Sequence, residues 1–161
     1  MKTENFIKNI EEIKKTTGLD LSAGEDLSIA LMNLVSLEEH FLFSYMKTEE
    51  KRYLDFLEQA REIRKKLLAK IVKKDKGDYS EKWCISKHLL ATSMRLSEVG
   101  TKYLHDGKKT DAEELFLEAF NLYSMFWAVN GVLKIEKIDM KNPKLSKISQ
   151  LMKKILDCCK E

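Results

Sequence analysis

The feature that most constrains this chain is its shortage of helix breakers. Pro143 is its one proline, and there are six glycines in 161 residues. A chain with no proline before residue 143 has room for long uninterrupted helices. It also lacks the turn chemistry of a many-stranded β fold. Hydrophobic residues make up 43%, a content that excludes a disordered chain. At this length a single core buries roughly 70% of the unfolded surface, so folding requires neither a disulfide nor a metal. The expectation is one all-α domain over residues 1–161.

Period and capping signals mark six helices. The first covers about Asn5–Thr16 on Phe6, Ile10 and Ile13, and Gly18 stops it. The second opens at Ser22-Ala23-Gly24-Glu25, a capping box in which the Ser and Glu side chains satisfy each other's amides. It runs to about Tyr45 on Leu27, Leu31, Leu34 and Phe41. The third covers about Glu49–Lys74 on Phe56, Ala60, Ile63, Leu67 and Ile71, and Gly77 ends it. The fourth starts near Ser80, carries Ile85, Leu89, Leu96, Val99 and Tyr103 to about Leu104, and closes at Gly107.

A second capping box, Thr110-Asp111-Ala112-Glu113, opens the fifth helix, on Phe116, Ala119, Tyr123 and Phe126 to about Asn130. Asn142-Pro143 is an N-cap with proline at the first helical position. The last helix follows it with Ile148, Leu151 and Ile155 inward. Four long amphipathic helices with short connections read as an up-down-up-down four-helix bundle with short flanking N- and C-terminal helices. A fragment of helical repeat is the alternative architecture.

Charge is distributed unevenly. Residues 1–60 carry 7 basic and 12 acidic side chains, whereas residues 61–76 carry 8 basic and 2 acidic ones. That basic stretch, with Arg61, Arg64 and Lys65 at its head, suits an acidic partner or the phosphates of RNA. A solvated helix face ending in a cationic last turn explains it more plainly, since Lys outnumbers Arg there. No stretch has the roughly 20 apolar residues of a membrane span, so no membrane partner is expected. An odd set of cysteines, Cys84 with the neighbours Cys158 and Cys159, reads as reduced thiols and a cytoplasmic chain.

Two constellations bear on chemistry. Folding the helices back at their turns brings residues 39, 59, 95 and 119 to one level, which collects Glu38, His40, Glu62 and Glu98. An acid from several helices is the arrangement of ferritin-like carboxylate metal sites. Glu38 is its most telling member, because it falls on the apolar stripe and so must be paired, protonated or ligating. The Glu-x-x-His pairs of such sites are absent, and a buried Glu–Arg pair accounts for the same residues. A metal ion is therefore the alternative, and no cofactor is expected. Cys84 and His88, one turn apart, lack further zinc ligands at their level. Trp83, Tyr123, Phe126 and Trp127 read first as core, with Tyr123 and Trp127 the candidates for a dimer or partner face.

Between Leu96 and Phe120, Gly100, Tyr103, Ala112, Phe116 and Ala119 fall at tetratricopeptide offsets, with Gly107 at the turn. This stretch resembles a single tetratricopeptide hairpin, which implies close helix approach at Gly100 and Ala112 and a groove for peptides. The whole chain resembles a family of uncharacterised small all-helical prokaryotic proteins with runs like Trp83-Cys84-Ile85-Ser86-Lys87-His88. That likeness implies nothing about activity. The functional expectation is a non-enzymatic helical interaction module that binds a protein partner or a second copy of itself. The alternatives are a carboxylate metal bundle and docking on RNA or a ribonucleoprotein through residues 61–76.

Overall fold

Four long helices follow from the proline-free sequence. The computed structural model describes residues 21–73 and 81–132. The helices expected near residues 5–16 and after 142, and the stop at Gly77, lie outside them. Within the described residues the helices are α1 (Leu21–Thr48), α2 (Arg52–Ile71), α3 (Glu81–His105) and α4 (Lys109–Val129), and no strand occurs.

The turns have local causes. Glu49 ends α1 in the left-handed region, with φ 56°, and its N–H donates to the Tyr45 carbonyl at 2.7 Å. Gly107 ends α3 with φ 76°. There the Lys108 N–H reaches the Tyr103 carbonyl at 2.9 Å and the Gly107 N–H reaches that of Leu104 at 3.2 Å. This pair of bonds is a Schellman motif, which a glycine at its left-handed position makes without strain.

Several ends differ from the sequence expectation: α1 runs on to Thr48, and α2 begins at Arg52. The N-cap of α4 is Lys108, with no side-chain cap bond, so Thr110 and Glu113 lie inside the helix. α2 stops at Ile71 rather than Lys74, because Val72 turns extended and enters the core.

α1 packs on α2, α3 packs on α4, and the two hairpins join chiefly through α1 and α3. Leu31, Met32, Leu68, Ile71, Leu89, Leu90, Tyr123, Phe126 and Trp127 make one shared core. Each such large apolar side chain contributes about 1.5–3 kcal/mol relative to exposure. Two expected stripes hold only in part: Ala60 and Ile71 on α2 and Leu89 on α3 are buried as expected. Phe56 and Ile63 on α2, and Ile85 and Val99 on α3, are exposed, whereas Arg64 and Leu68, and Ser86, Leu90 and Ser93, are buried. Serine is small enough to let helices approach: the Ser93 hydroxyl donates to the Ala119 carbonyl at 2.8 Å across the α3–α4 seam. About two turns farther on, Gly100 lies under the Phe116 ring so closely that a Cβ there would sit 2.6 Å from a ring carbon.

Candidate functional site

Glu38 and Arg64 meet between α1 and α2. The guanidinium donates through both Nε and Nη2 to the two carboxylate oxygens, the second bond at 3.2 Å. The side chains are 6% exposed for Arg64 and 18% for Glu38. A forked, charge-assisted pair of this kind satisfies both groups in a dry seam. Glu38 therefore does face inward, as its place on the apolar stripe requires, and each of its carboxylate oxygens accepts a bond from Arg64.

The other metal candidates lie apart from it. Glu62 bonds Lys65 on the surface of α2 at 2.6 Å, and that bond holds its carboxyl below the usual range. Glu98 accepts from Arg95 at 2.5 Å. Arg95 also donates to Glu39 of α1, and this contact is the first cause that raises its guanidinium further above its ordinary value. His40 is exposed. Glu38, His40, Glu62 and Glu98 thus form no ligand set, and among the described residues no three His, Cys, Asp or Glu side chains converge on an ion site. Cys84 and His88 are both exposed on α3.

The five interaction candidates divide. Arg61 and Lys65 are exposed and ion-paired along α2, to Glu58 at 3.5 Å and Glu62 at 2.6 Å. Arg64, Tyr123 and Trp127 are buried, which corrects their assignment to a surface. Arg64 brings its counter-ion inside. Tyr123, Phe126 and Trp127 pack on one another, with the Phe126 and Trp127 rings edge to face at 5.0 Å. The Tyr123 hydroxyl shares a 2.6 Å hydrogen bond with Ser28 of α1. Burial pushes that hydroxyl's pKa up, against the lowering effect of Ser28. The aromatic cluster belongs to the core that the two hairpins share, and the Tyr123–Ser28 bond ties α4 to α1.

What the fold leaves exposed lies elsewhere. Leu42, Phe43 and Met46 occupy the last turns of α1, and Leu54 and Phe56 the start of α2 across the turn. Met46 is 67% exposed and Phe43 53%. A ring contact of 5.7 Å between Phe41 and Phe56 fixes the two helices beneath this cluster. On α1, Ser28, Met32, Val35 and Glu39 recur at helical spacing on the side that meets the second hairpin. Leu42 and Met46 continue the same row past Glu39, where the described residues no longer cover it. Sequence reasoning missed this cluster, although the excess of apolar residues on α1 over one stripe was its signal. No family model, curated protein or solved structure matches this chain.

Proposed function

We propose that the chain is a non-enzymatic helical interaction module that docks a protein through the apolar end of the α1–α2 hairpin. The observation that carries this reading is the exposed set Leu42, Phe43, Met46, Leu54 and Phe56 on two adjacent helices. Exposed large apolar residues gathered near one end of a hairpin mark an interaction site more often than isolated ones do. The occupant is a helix with an apolar stripe, since a helix laid against a helical hairpin buries such a surface most simply. Self-association through the same face belongs to this reading. So does a tetratricopeptide-like role for α3–α4, which rests on the close seat of Gly100 against Phe116. An odd set of cysteines, read as reduced thiols, supports a cytoplasmic setting for the module, and no described helix is long and apolar enough to cross a membrane.

The test is a photo-cross-linking amino acid at position 43, with position 111 on α4 as control, followed in cells. A discrete adduct from position 43 that Met46→Glu abolishes is expected. Equal or absent adducts at the two positions would remove the basis for this reading.

A further inference from the structure

Tyr123, Trp127 and the C-cap residue Asn130 stand at i, i+4 and i+7, so they share one side of α4. This row is anchored at both ends. Tyr123 bonds Ser28 of α1 at 2.6 Å, and the Asn130 amide donates to Ser86 of α3 at 2.9 Å. Between the anchors, two buried polar atoms have no hydrogen-bond partner among the described residues: Nε1 of Trp127 and Oδ1 of Asn130. Trp127 is 2% exposed, so bulk solvent does not serve its N–H. Buried groups without partners are rare in folded chains, because each has given up its bonds to water. We propose that this row binds one internal water molecule, which accepts from Trp127 and donates to Tyr123 and Asn130.

The hydrogens already committed fix the direction of each bond. Ser28 has one hydroxyl hydrogen, and it goes to the Glu25 carbonyl at 2.7 Å. Tyr123 is therefore the donor to Ser28, and the lone pairs of its own oxygen stay open. Burial is the first influence on that hydroxyl and raises its pKa, while Ser28 and the Trp127 indole lower it. The indole N–H thus lies beside the open oxygen without a bond between them. The Asn130 amide is fixed as well. Its nitrogen donates to the Phe126 carbonyl at 2.8 Å, and a carbonyl only accepts, so a flipped amide would lose that bond.

The row accordingly presents one donor and two acceptors. An anion cannot donate to Tyr123 or Asn130, and a metal ion or ammonium cannot accept from Trp127. Water does both, and three bonds are the usual complement of a buried water molecule. It completes a polar chain from Glu25 and Ser28 of α1, through Tyr123 and Asn130, to Ser86 of α3. A satisfied chain of this kind fixes how the two hairpins sit on one another more narrowly than apolar contact alone.

The test is the pair of water-to-protein NOE and ROE spectra of the isotope-labelled full chain. They are read at the Trp127 indole N–H, which Trp83→Phe distinguishes from the other indole. A cross-peak of opposite sign in the two spectra is expected, the mark of held water. It should persist in Tyr123→Phe, where the water keeps two of its three bonds. It should vanish when Asn130→Leu is added, which leaves one.

No cross-peak in the parent chain would overturn the proposal. A peak of the same sign in both spectra would overturn it too, because it marks an indole hydrogen exchanging with solvent. So would loss of the peak in Tyr123→Phe alone, by assigning it to the tyrosine hydroxyl. A peak retained in a folded double variant would place the water on other groups and overturn the assignment. The parent and Tyr123→Phe decide the question even where the double variant does not fold.

Discussion

Arg64 of α2 and Glu38 of α1 form a two-pronged ion pair inside the seam of the first hairpin, with the arginine the more deeply buried partner. A carboxylate on an apolar stripe is thereby explained without a metal. The pair joins two helices that also meet through the ring contact between Phe41 and Phe56.

Removing one member leaves the other charge without a partner in a place water hardly reaches. Arg64→Ala should lower the unfolding free energy by about 3 kcal/mol, and Glu38→Gln by less, because Glu38 is the more exposed partner. The double change Glu38→Leu with Arg64→Met should recover most of that loss, since apolar residues of similar size fill such a seam as well. Urea denaturation of the four proteins checks this, and a double variant no better than Arg64→Ala would show that the pair is not acting as a unit.

Gly100 permits the α3–α4 approach. A Cβ there would meet the Phe116 ring at 2.6 Å, so ring or helix must shift. Gly100→Ala gains about 1 kcal/mol in helix propensity and loses about 1–3 kcal/mol in overpacking. A net destabilisation is expected, and Phe116→Leu in the same chain should relieve it. The sign of the coupling in that double-mutant cycle is the decisive readout.

The existence of the four described helices was legible in the sequence, whereas the direction each one faces was only partly so. Gly107 ends α3 as expected, and the ends of all four helices and the starts of α2 and α4 fall within about three residues of their expected limits. The inward faces of α2 and α3 were misjudged because hydropathy alone ranks Ile63 above Arg64 and Ile85 above Ser86. A buried arginine with its own carboxylate, and serines that let helices approach, reverse that ranking. Glu38 was recognised as anomalous, and Arg64 satisfies it. The apolar end at Leu42 and Met46 stayed hidden because its exposure depends on where the second hairpin leaves α1, which no local pattern encodes.

Tyr123 links stability to pH at the alkaline end. Burial raises its pKa above the ordinary value of about 10, with the nearby acids Glu25 and Asp26 adding to the effect and Ser28 opposing it. The folded chain therefore holds this proton more tightly than the unfolded one. The contribution is complete below pH about 10 and is lost as pH rises through that value toward the folded pKa. Tyr123→Phe should cost about 1 kcal/mol at neutral pH through the lost bond to Ser28. It should also flatten the decline in stability between pH 9 and 11, roughly, relative to the parent chain. Parallel slopes in the two proteins would mean that Tyr123 is not the group responsible.

Trp127 and Phe43 separate the core from the proposed docking face. Trp127 is buried against Phe126 and Tyr123, where the two hairpins share their core. Its truncation to alanine removes a large side chain from a packed site and should cost about 3–5 kcal/mol. Domains of this kind hold about 5–15 kcal/mol in all, so the variant should lose its near-ultraviolet circular dichroism at modest urea or heat. Phe43, half exposed on α1, should tolerate Phe43→Ser within about 0.5 kcal/mol. A ring removed at so little cost lies outside the core and stays available to a partner. If Phe43→Ser were instead as damaging as Trp127→Ala, the apolar end of the first hairpin would belong to the core, and the docking surface would have to be sought elsewhere.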